Sequence, residues 1–366
     1  MTERQQTDTI FALSSGAGRA GVAVIRLSGP HAAAATRALG GSVSTPRMAR
    51  LTRLCDPDSG ETLDRGLVLW FPAPHSFTGE DVAELQVHGG PAVVDGVLGA
   101  LARQPGLRAA EPGEFSRRAF DAGRMDFTEV EGLADLIAAE TPAQRRQALR
   151  QMDGALSRLY EGWRDRLVRA LAHLEAAIDF ADEEDAASAG ADVAQDLTGL
   201  RADMAAHLSD AQLGERLRDG FRVVLLGPPN VGKSSLLNAL SRTEAAIVSA
   251  TAGTTRDMVQ VRMDLAGLAV TLVDTAGLRD SGDAVEQEGV RRAMAAGREA
   301  DVALIMRPAA DAARAAPTVA AEIDCLGARH ALRVASKIDQ APAPAGWLGV
   351  SAVTGAGLDA LLAALA

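Results

Sequence analysis

The clearest chemistry in the sequence lies at Gly227-Pro-Pro-Asn-Val-Gly-Lys-Ser234, a glycine-rich turn that ends in lysine and serine. An apolar run, Phe221–Leu226, precedes it and a helical stretch, Ser234–Leu240, follows it, which is the context that a phosphate-binding loop requires. Backbone N–H groups and the helix N-terminus can cradle phosphates there. We expect the Lys233 ammonium to reach the β- and γ-phosphate oxygens and the Ser234 hydroxyl to bind Mg²⁺. The alternative is a chance glycine-rich turn, which the strand, the spacing and the helix together disfavour.

Four later motifs extend this pattern to a guanine nucleotide. Gly253-Thr-Thr-Arg-Asp257 offers a threonine hydroxyl to Mg²⁺. Asp274-Thr-Ala-Gly277 follows an apolar run, so its carboxylate can hold Mg²⁺ through water and its last N–H can meet the γ-phosphate. In Ser336-Lys-Ile-Asp339, the carboxylate can accept both guanine N1–H and N2–H₂. Backbone N–H groups of Ser351-Ala352 can reach guanine O6. Each motif alone arises by chance; their order favours a GTP site.

The distribution of lysine supports the same site. Of 37 basic residues, only Lys233 and Lys337 are lysine, and both fall inside these motifs. Lysine is a compact point charge on a flexible stem, whereas arginine is a planar fork. A chain that uses arginine almost everywhere therefore keeps lysine where a fork would not fit.

Bulk composition excludes several other classes of protein. The net charge of −11 means that any RNA contact needs a local basic patch. No apolar run is long enough to span a membrane, and the polar N-terminus lacks the features of a signal peptide. Cys55 and Cys325 are far apart and suggest neither a disulfide framework nor a metal site. We therefore expect a cytoplasmic protein without membrane association.

The elements that must position these residues fall into three segments. Residues 1–122 predict an α+β domain, with strands at Thr9–Leu13, Gly21–Leu27, Leu67–Phe71 and Val82–Val87 and helices after Pro91 and over Gly113–Phe120. Residues 123–217 predict an α-helical domain. Residues 218–366 alternate apolar runs with helices and predict a doubly wound α/β domain with a mostly parallel sheet. Its expected strands are Phe221–Leu226, Ala269–Val273, Val302–Met306, Leu332–Ala335 and Leu348–Val350.

The middle segment carries two long apolar stripes. Thr141-Pro-Ala-Gln144 is a capping box, and apolar residues at spacings of three and four follow it to Ile178. We predict one long helix there and a second over Val193–Leu217, packed as an antiparallel hairpin.

The N-terminal half adds four further motifs to the nucleotide set. These are Gly21-Val-x3-Arg26-x-Ser28-Gly29, Ser76-Phe-Thr-Gly-Glu-Asp81, His88-Gly-Gly-Pro91 and Pro112-Gly-Glu-Phe115. Together with Gly253–Asp257 and Asp274–Arg279, they make nearly the whole chain resemble the MnmE (TrmE) family, in the TrmE–Era–EngA group of GTPases. The resemblance implies a three-domain homodimer that pairs through its N-terminal domain. It also implies K⁺-stimulated GTP hydrolysis and action with the flavoprotein MnmG, as a heterotetramer, on the wobble uridine of certain tRNAs at carbon 5.

The resemblance also implies roles for single residues. The catalytic set is Lys233, Asn230 as a K⁺ ligand, and Glu286, which would orient the attacking water; for Glu286 the plain alternative is a solvated loop acid. K⁺ would be held by Asn230, Ser249, Thr251 and Thr254, and Mg²⁺ by Ser234 and Thr255. Arg26, Glu84 and Arg124 match contacts to formyl-tetrahydrofolate, against the alternative of surface salt bridges. The whole expected GTP set is Asn230, Val231, Gly232, Lys233, Ser234, Ser235, Ser249, Thr251, Thr254, Thr255, Asp274, Thr275, Ala276, Gly277, Ser336, Lys337, Asp339, Ser351 and Ala352.

Three departures from the family pattern bear on function. Ser336 stands where the family usually has asparagine, and Arg124 where it usually has lysine. The family's helical domain ends in a segment after the G domain with a functional cysteine, whereas this sequence ends at Ala366. This last difference motivates an alternative, a folate- and GTP-binding regulatory module without modification chemistry. A ribosome-assembly GTPase of the Era or EngA type is disfavoured, since no KH-like segment or second G domain is evident in the sequence.

Overall fold

The structure is a computed structural model that describes residues 8–179, 186–247, 260–274, 300–315, 319 and 330–366. The chain divides into two compact units, Met1–Val130 and Glu131–Ala366.

The first unit contains a six-stranded sheet in the order β3-β4-β5-β2-β1-β6. Every pairing is antiparallel except that of β1 with β6. The strands are β1 Thr9–Leu13, β2 Ala20–Ser28, β3 Arg50–Cys55, β4 Thr62–Phe71, β5 Val82–Gly89 and β6 Leu107–Ala109. The helices are α1 Ala32–Ala38, α2 Pro91–Ala102 and α3 Glu114–Asp121. The α+β prediction is confirmed; α1, β3 and β6 were not predicted.

Strand alternation separates the two faces of this sheet. Ile25 and Leu27 of β2 and Leu85 of β5 are buried in a core that also receives α2 residues such as Val97. Because successive side chains in a strand point to opposite faces, the residues between them face away from that core. The core therefore places the polar residues of β2 and β5 on the opposite face of the sheet.

The helices of the second unit correct one prediction. Instead of one long helix after Thr141, the structure has α5 Pro142–Met152 and α6 Ala155–Asp179. Gly154, with φ of 75°, separates them. Glycine in this left-handed conformation ends a helix readily because it has no Cβ, and the apolar spacing continued across the break without revealing it. Helix α4, Phe127–Ala138, precedes α5 and contains the boundary between the two units.

The predicted hairpin of long helices is confirmed. Helix α7, Ala186–Asp219, packs against α6. Arg166 of α6 bonds Asp196 and Asp203 of α7, while Trp163, earlier in α6, contacts His207, later in α7. Residue numbers fall along one helix as they rise along the other, so the pair is antiparallel.

The sheet of the second unit has the order β12-β11-β10-β7-β9-β8. All pairings are parallel except that of β8 with β9, which confirms a mostly parallel sheet. The strands are β7 Phe221–Leu226, β8 Gln260–Leu265, β9 Leu268–Asp274, β10 Val302–Pro308, β11 His330–Ser336 and β12 Leu348–Val350. Helices α8 Lys233–Leu240 and α9 Leu358–Leu365 accompany the sheet, and residues 309–315 are also helical. Among the described residues, no helix is long and apolar enough to cross a membrane.

Candidate functional site

The phosphate loop joins the end of β7 to the start of α8, as predicted. Gly227 has φ of 154°, and a Cβ added there would lie 2.6 Å from the carbonyl oxygen of Met306. Gly232, with φ of 102°, caps α8. Only glycine combines these conformations with so close an approach to β10. The loop can therefore hold its backbone N–H groups towards one point at the helix N-terminus.

Lys233 is drawn into this loop. Lys233 is only 5% exposed. Its ammonium donates to the carbonyl oxygens of Gly227, at 2.8 Å, and Pro228, at 3.1 Å. Three rotatable donors on a flexible stem suit this position better than a planar guanidinium. The ammonium thus stands over the loop in which the phosphates are expected to bind.

Ser234, an expected Mg²⁺ ligand, and Asp274, expected to hold Mg²⁺ through water, lie in direct contact. Their side chains lie on α8 and at the end of β9, and the Ser234 Oγ donates to the Asp274 Oδ2 at 2.6 Å. Asp274 is 1% exposed. Mg²⁺ prefers oxygen ligands and commonly uses one or two carboxylates together with substrate phosphates and water. The donor set at this point fits that preference.

The predicted base-recognition residues lie at the end of β11, beside the phosphate loop. Ser336 Oγ donates to the carbonyl oxygen of Val231 at 2.7 Å, and Lys337 Nζ donates to that of Asn230 at 3.0 Å. Asp339 Oδ1 accepts from Ser351 Oγ at 2.6 Å. Ser336 and Lys337 therefore bond the phosphate loop directly, Asp339 and Ser351 bond each other, and both lysines of the chain bond the backbone of that loop.

Several predicted residues lie outside the described part of the chain. They are Ser249, Thr251, Thr254, Thr255, Thr275, Ala276, Gly277 and Glu286. Ser235 is described and is exposed in the first turn of α8, and Ala352 is half-buried after Ser351. Asn230 is described and has φ of 61°, a conformation that asparagine tolerates better than most residues.

Arg26 and Glu84, two of the predicted folate contacts, stand directly opposite each other on β2 and β5. The guanidinium donates to Glu84 Oε1 from Nε at 3.0 Å and from an Nη at 2.8 Å. It also lies 5.2 Å from the ring centre of Phe77 and 5.7 Å from that of Phe115. A charged pair between two aromatic rings is a surface on which a flat, polar ring system can stack.

Arg124 is exposed, and among the described residues it makes no hydrogen bond or ion pair to Arg26 or Glu84. Its side chain passes close to Gly79, and its backbone N–H donates to the carbonyl oxygen of Ala119 at 2.8 Å. The structure describes Arg26, Glu84 and Arg124 and brings only the first two into contact. The salt-bridge alternative thus describes Arg26 and Glu84 as they stand in this structure.

A polar network elsewhere in this unit was missed by the sequence reasoning. Glu114 is 7% exposed and accepts from Arg108 at 2.5 and 2.9 Å. Arg118 bonds both Glu114 and Glu80, and Glu80 accepts from Ser28 at 2.6 Å. The bonds from Arg108, with help from the Glu111 N–H and despite burial, lower the pKa of Glu114 from 4.5 to about 2. The only sequence signal was that Ser28, Glu80 and Glu114 lie inside three of the N-terminal motifs.

Comparison with known proteins agrees with this geometry. Residues 9–124 match the family model of the GTP-binding protein TrmE N-terminus, and residues 127–366 match that of the MnmE helical domain. A protein of Parvibaculum lavamentivorans named tRNA modification GTPase MnmE is 57% identical, over 98% of this chain and 81% of its own length. One of the same name from Rhodospirillum rubrum is 53% identical, over 98% of this chain and 82% of its own.

A mitochondrial relative gives the same result. The Danio rerio protein GTPB3, named as a subunit of a 5-taurinomethyluridine tRNA synthase, is 59% identical over 82% of this chain and 60% of its own length. The two family models together cover almost the entire described chain, from β1 to α9. The chain therefore belongs to the MnmE (TrmE) family of GTP-hydrolysing enzymes.

Proposed function

We propose that the chain uses K⁺-dependent GTP hydrolysis in the modification of the wobble uridine of certain tRNAs, together with the flavoprotein MnmG. The observation that carries the proposal is the joining of Lys233, the Ser234–Asp274 pair and the Ser336–Asp339 loop at one helix N-terminus. The relatives named tRNA modification GTPase support the tRNA substrate. Cytoplasmic location and a homodimer paired through the first unit remain parts of the same proposal.

Each residue of the site has a separate role in phosphoryl transfer. Lys233 exchanges the carbonyl oxygens of Gly227 and Pro228 for phosphate oxygens when the nucleotide binds. Ser234 and Asp274 would hold Mg²⁺, which supplies positive charge to the phosphates when bound. Asp339, oriented by Ser351, accepts the guanine N–H groups. Asn230, in the phosphate loop, would hold K⁺, which could supply the positive charge that an arginine finger provides in other GTPases. Glu286 would orient the attacking water.

In the first unit, we propose a site for formyl-tetrahydrofolate on the surface around Arg26 and Glu84. A carboxylate suits pterin N–H donors, a guanidinium suits the carboxylates of the glutamate tail, and Phe77 and Phe115 offer ring faces. The exposed Arg124 would extend the positive charge available to the tail.

The decisive experiment measures GTP turnover in KCl and in NaCl for the wild type and for Asn230→Ala. We expect faster turnover in KCl for the wild type and loss of that advantage in Asn230→Ala. Asn238→Ala, on the exposed face of α8, is the matched control and should behave as the wild type. Equal wild-type turnover in the two salts would remove K⁺ from the mechanism.

A second assay separates modification from regulation. Wobble-uridine modification is measured with this chain, MnmG, tRNA, GTP and the folate. Product formation supports the proposed function. GTP turnover without product under these conditions would favour the folate- and GTP-binding regulatory module.

A further inference from the structure

Helix α5 carries only positive charge among its ionisable side chains. The whole sequence has 48 acidic and 37 basic residues, yet Pro142–Met152 contains three arginines and no acidic residue. Arg145, Arg146 and Arg150 are all exposed. Unlike Arg103, Arg164 and Arg166, they make no ion pair with any residue in the described part of the chain. We call these three side chains the arginine face.

The helix that presents the arginine face is firmly held. The Thr141 hydroxyl and the Gln144 side chain form a reciprocal capping box at its start. Gln144 Nε2 donates to the carbonyl oxygen of Arg218 at 2.9 Å, and Gln147 Nε2 donates to that of Gly214 at 3.0 Å. Ala148 is buried. One side of α5 is therefore anchored to the end of α7, and the arginines do not contribute to that anchoring.

A groove of about 480 Å³ runs beside the arginine face. Its lining includes Arg146 and Arg150, four positions apart and so on one side of the helix, together with Gln147, Gln151 and Leu217. Guanidinium forks bind phosphate oxygens in a bidentate manner. Positive charge that is unpaired among the described residues fits a polyanion, and an acidic chain needs such a local patch to bind RNA.

We propose that the arginine face binds the phosphate backbone of tRNA. This inference rests on the proposed function in tRNA modification and adds the surface that holds the substrate. Phosphate contacts of this kind position the RNA without reading its sequence, so the face serves any tRNA that the enzyme modifies.

The test compares the full chain with the triple variant Arg145→Gln, Arg146→Gln, Arg150→Gln. The dissociation constant for tRNA is measured by fluorescence anisotropy at several KCl concentrations. We expect at least tenfold weaker binding at low salt, and a slope of log K against log salt that is smaller in magnitude by about 2, since each lost phosphate contact contributes roughly 0.7 to 0.9. The matched control is Arg103→Gln, Arg164→Gln, Arg166→Gln, which removes the same charge from ion-paired positions and should keep both affinity and slope.

The readouts distinguish failure of the inference from failure of the proposed function. GTP turnover in KCl and the thermal unfolding midpoint are measured on the same samples, and both should match the wild type in the α5 variant. Equal loss of tRNA affinity in both triple variants, or no loss in the α5 variant, would overturn the proposal. Unchanged tRNA binding with loss of co-elution with MnmG would assign the face to a protein and also overturn it. Absence of wild-type GTP turnover would instead contradict the proposed function.

Discussion

The Ser336 hydroxyl donates a 2.7 Å hydrogen bond to the carbonyl oxygen of Val231, 105 positions earlier in the chain. This bond fastens the loop that is expected to recognise the base to the loop that is expected to hold the phosphates. The adjacent Lys337 adds a second link, to the carbonyl oxygen of Asn230. Ser336 is 4% exposed, so its bond is shielded from water. Serine here, in place of the asparagine usual in the family, therefore connects the two loops directly.

We predict that Ser336→Ala weakens binding of GDP and GTP by about threefold to tenfold. The substitution removes one hydrogen bond and leaves a buried carbonyl oxygen unsatisfied, a loss of about 1 kcal/mol. Ser336→Thr retains the hydroxyl and should restore most of the affinity. Nucleotide titrations with a fluorescent GDP analogue measure the effect. Unchanged affinity in Ser336→Ala would show that the two loops hold their positions without this bond.

Asp339→Asn should change which base is bound. Ser351 Oγ fixes one carboxylate oxygen of Asp339 at 2.6 Å, and the carboxylate can accept from guanine N1–H and N2–H₂. Losing those charge-assisted bonds costs roughly 3 kcal/mol, or about 100-fold in GTP affinity. The new amide can donate to the C2 carbonyl of xanthine, so the affinity for xanthosine triphosphate should increase. Competition among GTP, ATP and xanthosine triphosphate checks this, and wild-type protein that bound ATP as well as GTP would refute base selection by Asp339.

The site was predictable where its chemistry depends on consecutive residues. The phosphate loop needs glycine, lysine and serine at fixed spacing between a strand and a helix, and all of these can be seen in the sequence around Lys233. The Arg118–Glu80 and Ser28–Glu80 bonds join residues 38 and 52 positions apart. Only folding brings such residues together, and local spacing carries no information about it.

There are physical reasons why some elements were not predicted from the sequence. Strands β3 and β8 lie at the edges of their sheets and mix charged with apolar residues, so they lack the continuous apolar run of a central strand. The break at Gly154 was hidden because an amphipathic stripe can continue across a change of helix. Single glycines inside a helical pattern are tolerated often enough that Gly154 gave no clear signal of its conformation.

Acid should destabilise the first unit through Glu114. Its pKa in the folded protein is about 2, below its usual 4.5, so its ionised form stabilises the fold above pH 4.5. That stabilisation is lost as the pH falls from 4.5 to 2. Glu114→Gln should therefore cost on the order of 3 kcal/mol at neutral pH, with a difference from wild type that shrinks below pH 4.5.

Denaturant unfolding at several pH values measures this effect. Trp70, in β4, reports on the first unit alone when Trp163 and Trp347 are replaced by phenylalanine. Glu111→Gln is the control, because the Glu111 side chain is exposed and only its backbone N–H bonds Glu114. A constant difference between Glu114→Gln and wild type from pH 7 to pH 3 would contradict the assignment.

Two glycines after β12 allow steric crowding to be separated from backbone strain. Gly355 and Gly357 have φ of 76° and 78°, so alanine at either position carries the same left-handed penalty of roughly 1–2 kcal/mol. A Cβ at Gly355 would meet nothing within 4 Å, whereas one at Gly357 would lie 1.9 Å from the carbonyl oxygen of Gly349. We expect Gly357→Ala to cost at least about 2 kcal/mol more than Gly355→Ala, since the backbone of β12 must move.

The same movement should reach the nucleotide site. Strand β12 ends at Val350, immediately before Ser351, whose hydroxyl orients Asp339. Gly357→Ala should therefore weaken GTP binding at temperatures where the variant is still folded, while Gly355→Ala should bind GTP nearly as the wild type does. Unfolding followed by Trp347 fluorescence, with GTP titrations on the same samples, measures both effects. Equal stability of the two alanine variants would show that β12 accommodates the added methyl group, and equal GTP affinity would show that Asp339 does not depend on the position of this strand.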